Sequence, residues 1–258
     1  MPGLSQIAIG DVVLRLCAGG ATDLLECRPR DYSAFARENA AVAESEVISL
    51  ALETGGIPPT AGMRTLLQND LTWSVFADKG DRLVVFKPPA APAPLWALRI
   101  APGSSHGILY CGESVVSTSC GRLTVTNMLA YPLDLILLMY TLAGRSGIVV
   151  HAAGVSIGGR GLLFPGVSGA GKSTIARLFA SHDGVVRLSD DRIVIRGTGS
   201  SFNMHGTPWL GEAGVCADAG APLSGIFFLR HAGANELTRL DFPQAVERLL
   251  PVVSVPWY

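Results

Sequence analysis

One stretch, residues 166–173, constrains the fold of this chain more than any other feature, because it matches the pattern G-x-x-x-x-G-K-[ST]. We call these residues the glycine-rich loop. A short apolar run at residues 162–164 precedes the loop and a helical run follows it, which predicts a strand, a tight loop and a helix. Glycines let such a loop curl so that successive backbone N–H groups point at one anion. The pattern therefore predicts a phosphate-binding loop.

The glycine-rich loop predicts that the chain binds a nucleoside triphosphate, ATP, together with Mg²⁺. In this pattern the lysine, Lys172, reaches the β- and γ-phosphates, and the hydroxyl of Ser173 ligates Mg²⁺. Lys172 is one of only three lysines in the chain, so composition alone does not account for its place in the motif. The residues predicted to bind the nucleotide are Gly166, Val167, Ser168, Gly169, Ala170, Gly171, Lys172, Ser173 and Thr174.

Two adjacent carboxylates, Asp190 and Asp191, follow the next predicted strand. One helix, one turn and one strand separate them from the loop, which lets both return to it, and ligands of open α/β sheets gather at such strand ends. One carboxylate can hold Mg²⁺ with Ser173, and the other can accept the proton of an attacking hydroxyl. The candidate catalytic residues are therefore Asp190, Asp191 and Lys172, and the candidate metal ligands are Ser173, Asp190 and Asp191. Either aspartate fits either role.

The sequence patterns change near Thr126, which predicts two regions. Residues 1–126 contain short strand patterns, among them a hairpin at residues 73–86, and no catalytic motif. This β-rich region fits a platform for a substrate or partner, or plain scaffold. Residues 127–258 contain the glycine-rich loop, with a helix predicted at residues 132–143 and a strand hairpin at residues 148–164 that turns at a Gly-Gly pair.

Composition excludes several classes of function. The net charge is -1 and no basic stripe is visible, so nucleic acid is not an expected partner. The most apolar run, residues 133–142, contains Asp134 and is shorter than the roughly 20 residues that span a bilayer. The first residues carry no secretory pattern, and the cysteines form no CxxC pair. We therefore expect a cytoplasmic protein without a membrane segment. Its reduced thiols are Cys17, Cys27, Cys111, Cys120 and Cys216.

Several motifs occur in an order and spacing that resemble the catalytic domain of HPr kinase/phosphorylase. They are the histidine-containing residues 151–155, the Gly158-Gly159 turn, the glycine-rich loop, and residues 188–192 with the aspartate pair. The chain is more similar still to the HPr-kinase-like bacterial proteins, whose Gly-Thr-Pro-Trp stretch it matches at residues 206–209. The resemblance covers roughly residues 127–250. It implies an α/β fold with a phosphate-loop core and a mixed sheet, related to PEP carboxykinase, after the β-rich N-terminal region.

The resemblance also implies roles for individual residues. His151 would lie against the aspartate pair and tune it, and one of Asp190 and Asp191 would be the base that activates a serine hydroxyl. Lys172 and Ser173 would hold phosphate and Mg²⁺. These roles describe an ATP-dependent kinase with His151 as a further candidate catalytic residue.

The expected acceptor is a hydroxyl, that of a serine in a peptide or small protein other than HPr. HPr is set aside because the Glu-x-Arg-Gly signature of HPr kinases has no counterpart after the aspartate pair, and because residues 1–126 do not resemble their N-terminal domain. A kinase of a small metabolite is an alternative. A nucleotide-gated binding module without transferase activity is another, although such a module would not need the aspartate pair. The sequence is also compatible with a homo-oligomer.

Overall fold

A computed structural model of the chain describes residues 4–20, 22–37, 47–68, 72–119 and 121–256. Cys120, one of the thiols considered above, lies outside these residues. Within them the chain forms eighteen strands and three α-helices, with short 3-10 turns at Arg30–Phe35, Glu113–Val115, Phe179–Ser181 and Leu250–Val252. No helix in the described part of the chain is both long enough and apolar enough to cross a membrane.

Eleven of the strands in the described ranges precede the first α-helix. They are β1 (Leu4–Ile9), β2 (Val12–Cys17), β3 (Thr22–Leu25), β4 (Val47–Glu53), β5 (Arg64–Gln68), β6 (Trp73–Asp78), β7 (Asp81–Phe86), β8 (Trp96–Ile100), β9 (His106–Cys111), β10 (Val116–Ser119) and β11 (Arg122–Thr126). The remaining elements are α1 (Leu133–Ala143), β12 (Gly147–Ile157), β13 (Arg160–Pro165), α2 (Lys172–Leu178), β14 (Val185–Ser189), β15 (Arg192–Thr198), β16 (Ser201–His205), β17 (Gly220–Ile226), α3 (Phe242–Leu249) and β18 (Val253–Ser254).

The chain divides into two compact units. The first consists of Met1–Arg30, Ala36–Gly144 and Pro256–Tyr258, and the second of Asp31–Phe35 and Arg145–Val255. The main division thus falls after Gly144, later than the boundary predicted near Thr126, because α1 packs against β2 and belongs to the first unit. All the candidate site residues lie in the second unit.

The first unit is built on an eight-stranded sheet with the order β1-β2-β4-β9-β8-β7-β6-β5, beside a three-stranded sheet with the order β10-β11-β3. The hairpin predicted at residues 73–86 is confirmed, since β6 and β7 are antiparallel neighbours with Trp73 opposite Phe86. Lys79 and Gly80 form its turn with positive φ angles of 50° and 99°, as two-residue hairpin turns require.

In the second unit five strands form a closed ring. Each of β12, β13, β17, β16 and β15 is hydrogen-bonded to two of the others. The hairpin predicted at residues 148–164 is confirmed and supplies two of the five strands, with Ile157 opposite Arg160 across the Gly-Gly turn. A ring of this kind leaves no open edge among its members. The two remaining strands, β14 and β18, both pair with β12 outside the ring.

The predicted α/β class is wrong, because the chain is mostly β. The longest α-helix among the described residues, α1, has 11 residues. In the second unit every pair of neighbouring strands is antiparallel except β13 with β17. The connections explain the difference. Two residues join β12 to β13, and two join β15 to β16, whereas parallel neighbours need a crossover of a dozen residues or more. The glycine-rich loop is therefore carried on a largely antiparallel β structure.

The ring strands pack around Met204, which is fully buried with Val150, Leu163 and Ile193. Two glycines, Gly154 and Gly161, make room for this packing. A Cβ atom at Gly161 would lie 2.4 Å from the sulfur of Met204 and 2.9 Å from the carbonyl oxygen of Pro222. Because the second of these contacts is to backbone, a larger residue cannot be accommodated by rotating one side chain.

We therefore expect Gly161→Ala to destabilise the chain by about 1–3 kcal/mol, the usual cost of overpacking a filled core. Urea unfolding followed by circular dichroism measures the change. Gly233→Ala is the matched control, because a Cβ atom at Gly233 meets nothing within 4 Å. Equal unfolding midpoints for the two variants would show that the ring is not packed as described.

Candidate functional site

The glycine-rich loop leaves β13 after Pro165 and enters α2 at Lys172. Its first residue is tied to β12, since the N–H of Gly166 donates to the carbonyl oxygen of His151 at 3.2 Å. Gly169 and Gly171 have φ angles of 81° and 96°, a region that side chains with a Cβ atom rarely adopt. The turn is therefore one that only glycines at these positions form without strain.

The loop presents backbone donors without acceptors. Within the described residues, no group accepts a hydrogen bond from the N–H of Val167, Ser168, Gly169, Gly171, Lys172 or Ser173. A run of such donors around a turn with positive φ angles forms a concave anion site. The donor set therefore fits the phosphates of a nucleotide.

Lys172 is buried, with 6% of its surface exposed. Its ammonium Nζ donates to the carbonyl oxygen of Val167 at 2.9 Å, so the charge is held over the loop. Burial lowers the pKa of Lys172, and the nearby charges of Asp191, Glu212 and Asp190 act in the opposite direction. A bound anion would stabilise the charged form of Lys172, which burial disfavours.

Asp190 lies directly after β14 and is 2% exposed. Its Oδ1 accepts the N–H of Gly211 at 3.1 Å and that of Val215 at 3.0 Å. Its Oδ2 accepts the N–H of Ala213 at 2.6 Å and the hydroxyl of Ser173 at 3.2 Å. Four donors thus satisfy a carboxylate that would otherwise be very unfavourable to bury. This aspartate joins the glycine-rich loop to the segment at residues 211–215.

Asp191 is placed differently from its neighbour. Its carboxylate forms an ion pair with Arg192, and its Oδ1 lies 3.5 Å from Nδ1 of His151. Its side chain is 18% exposed, and within the described part of the chain no backbone N–H donates to its carboxylate. Its own carbonyl oxygen accepts the N–H of Ala152 at 3.0 Å. Asp191 is therefore the more accessible carboxylate of the pair.

His151 bridges the loop and the aspartate pair. Its Nδ1 lies 2.8 Å from the carbonyl oxygen of Asp191. A carbonyl can only accept, so Nδ1 carries the proton and Nε2 is an acceptor in the neutral ring. Burial lowers the pKa of His151, and the charge of Lys172 lowers it further, while Asp191 raises it. The ring is therefore neutral over a wider pH range than an exposed histidine.

Ser189 is a site residue to which the sequence pattern assigned no role. It is fully buried, and its Oγ accepts the N–H of Asp191 at 3.2 Å and that of Arg192 at 3.4 Å. It also donates to the carbonyl oxygen of Trp209 at 3.5 Å, and Thr207 donates to the carbonyl oxygen of Arg192 at 2.7 Å. These bonds fix the turn that carries Asp191. The available signal was a serine directly before a polar turn, a position from which its hydroxyl can bond the following amides.

Two glycines in residues 206–215 allow close packing around the site. A Cβ atom at Gly206 would lie 2.0 Å from the carbonyl oxygen of Ala217, and one at Gly211 would lie 2.5 Å from Oδ2 of Asp190. Both positions therefore exclude any side chain. The close approach at Gly211 lets the backbone supply the donors that hold Asp190.

The structure brings most of the predicted site residues together. Ser173 contacts Asp190, and His151 contacts both Gly166 and Asp191. Thr174 is exposed on the first turn of α2, and within the described residues its side chain forms no hydrogen bond with the other site residues. No three His, Cys, Asp or Glu side chains are grouped as a metal cage in the described ranges.

A nucleotide-bound Mg²⁺ does not require such a cage. It keeps several waters and takes one or two protein ligands beside the phosphates. The Ser173 hydroxyl and the Asp190 carboxylate, 3.2 Å apart, are oxygen ligands of the kind that Mg²⁺ prefers. This pair therefore fits the ion.

The lowered pKa of His151 predicts a pH dependence of stability. Because the folded chain binds this proton less readily than the unfolded chain, whose histidine has the ordinary value of 6.5, stability falls as pH drops below that value toward the folded pKa. The urea concentration at the midpoint of unfolding should decrease less between pH 7.5 and pH 5.5 in His151→Gln than in the unmodified chain. His182→Gln, at an exposed histidine, should leave the decrease unchanged. If His151→Gln also left the decrease unchanged, the assignment of a neutral His151 would be wrong.

Comparison with known proteins does not add to this description: no protein-family model matches the sequence, and no curated protein is significantly similar to it.

Proposed function

We propose that this chain is an ATP- and Mg²⁺-dependent phosphotransferase that transfers the γ-phosphoryl group of ATP to a hydroxyl. The observation that carries the proposal is the bond between the Ser173 hydroxyl and the buried Asp190 carboxylate, beside the acceptorless donors of the glycine-rich loop. A second carboxylate, that of Asp191, remains accessible on the next residue. Together they give an anion cradle, a pair of cation ligands and a candidate base.

The loop N–H groups and Lys172 would bind the triphosphate. Ser173 and Asp190 would hold Mg²⁺, which supplies neutralisation of phosphate charge and electrophilic polarisation of the phosphoryl group. Lys172 is already fixed over the loop by Val167, so little rearrangement of its side chain is needed. Catalysis in such sites comes mainly from positioning and electrostatics, and these residues are held by the contacts described above.

Asp191 is the residue that we assign as general base. Asp190 is 2% exposed, and its one side-chain contact within the described residues is the Ser173 hydroxyl, where Mg²⁺ would bind. The side chain of Asp191 is 18% exposed, so a substrate hydroxyl can reach it. As the acceptor oxygen bonds to the γ-phosphorus, the bond from that phosphorus to the bridging oxygen breaks, ADP leaves, and the hydroxyl proton passes to Asp191. Neutral His151 keeps Asp191 in place through its Nδ1 proton.

The acceptor that we propose is a serine hydroxyl in a peptide or small protein other than HPr, on the basis of the motif resemblance. Cytoplasmic location follows from the need for ATP. For the first unit we propose a role in binding a partner, at the edge where β5 ends the eight-stranded sheet. An extended peptide can add to such an edge through backbone hydrogen bonds.

Nucleotide binding tests the loop assignment. ATP with Mg²⁺ should raise the melting temperature by mass action, about 2.7 kcal/mol of added stability at a concentration 100 times Kd. Lys172→Ala should reduce this shift greatly, because it removes the ammonium held over the loop. Lys87→Ala, on one of the two other lysines, is the control. Calorimetry that gives equal ATP affinity for the Lys172→Ala and Lys87→Ala variants would remove the basis of the proposal.

Asp→Asn variants separate the two carboxylates. Asp191→Asn should keep the fold and the ATP affinity while lowering phosphoryl transfer by about 10²–10⁴-fold, the usual effect of losing a general base. Asp190→Asn should instead lower the melting temperature, because an amide nitrogen replaces an acceptor of backbone N–H groups and leaves buried donors unpaired. Labelled-phosphate transfer and thermal unfolding measure the two effects. Wild-type turnover by Asp191→Asn would exclude the assigned base.

A further inference from the structure

The three carboxylates near the glycine-rich loop differ in how the protein satisfies them. Asp190 accepts four hydrogen bonds, and Asp191 is paired with Arg192 and lies beside His151. The carboxylate of Glu212 is exposed. Among the described residues, none donates a hydrogen bond to it or forms an ion pair with it. Glu212 is therefore the one carboxylate of the three whose charge the protein leaves without a direct partner in the described ranges.

The backbone of Glu212 is nonetheless fixed at the site. The residues on either side of it, Gly211 and Ala213, donate their N–H groups to Asp190 at 3.1 and 2.6 Å. Its carbonyl oxygen accepts from Nη2 of Arg177 at 2.7 Å. Three consecutive residues are thus held, and the side chain of Glu212 projects from a rigid segment next to the carboxylate that contacts Ser173.

The charge of Glu212 lies close to the site, because the residues on either side of it bond the carboxylate that contacts Ser173. In the proposed reaction Lys172 is engaged by the triphosphate, which brings several further negative charges to the same place. An unpaired carboxylate in that position repels the nucleotide. A positive group that arrives with the second substrate would offset this repulsion.

We propose that Glu212 binds a cationic group of the phosphoryl acceptor, an ammonium or guanidinium close to the hydroxyl that receives the phosphoryl group. This inference rests on the proposed function and narrows its substrate class. An ammonium or guanidinium carries its own donors and is satisfied by one carboxylate. The group is either a Lys or Arg side chain near the acceptor serine of a peptide or the α-ammonium of free serine.

Binding of labelled peptides tests the proposal without requiring transfer. The full chain is loaded with a non-hydrolysable ATP analogue and Mg²⁺. Fluorescence anisotropy then compares serine heptapeptides that carry Arg, Gln or Glu beside the serine. Free serine and 3-hydroxypropionate, which lacks the ammonium, serve as competitors. The variants are Glu212→Gln, the charge reversal Glu212→Lys, and Glu247→Gln as a control at an exposed glutamate of α3.

We expect the unmodified chain and Glu247→Gln to bind the Arg peptide about tenfold more tightly than the Gln peptide, a difference of about 1.4 kcal/mol. Glu212→Gln should abolish the difference, and Glu212→Lys should favour the Glu peptide. If free serine competes better than 3-hydroxypropionate only when Glu212 is present, the cation is the α-ammonium. The proposal is overturned if the unmodified chain shows no preference for a cation from either source, or if Glu212→Gln keeps the preference. Nucleotide affinity, measured on the same samples, reports separately on the proposed function.

Discussion

The carboxylate of Asp190 is the point on which the site depends. It is almost completely buried, and a buried charge is tolerated only when donors surround it. Here the donors are three backbone N–H groups from residues 211–215 and the hydroxyl of Ser173. Those bonds join three segments that are distant in sequence: the end of β14, the glycine-rich loop and the segment after β16. Because each segment is needed to satisfy the charge, the position of any one of them fixes the other two.

Around this centre the chain separates structural from chemical groups within a few residues. Asp190 is buried and accepts four hydrogen bonds, whereas the next residue, Asp191, is paired with Arg192 and lies beside His151. The turn between β14 and β15 produces this division, and the buried hydroxyl of Ser189 holds the turn by accepting two of its amides. His151 ties the result to the glycine-rich loop, since its carbonyl accepts from Gly166 while its ring donates to Asp191.

Local features of the sequence predicted local structure well. The two hairpins and the helix at residues 133–143 follow from alternation, turn glycines and a flanking proline, all of which act over a few residues. The fold class was wrong because it depends on which strands become neighbours, and the closure of five strands into a ring is set by pairings between distant residues such as Gly161 and Leu223. The grouping of His151 with the aspartate pair was implied only by the resemblance to HPr kinases. The backbone donors at residues 211–215 could not be predicted, because side-chain types do not show which backbone N–H groups will donate to a buried carboxylate.

Strand β12 changes its partners at the site. Up to His151 it pairs with β15, and from Ala152 onward it pairs with β13. Successive side chains of a strand point to opposite faces. The number of residues in β12 before the exchange therefore decides which face the side chain of His151 occupies. A single insertion or deletion in the first half of β12 would turn the imidazole to the other face and shift its carbonyl away from Gly166, while every residue type stayed acceptable for a strand. The length of this segment should therefore be under stronger evolutionary constraint than its composition, and relatives of this chain should align through it without gaps.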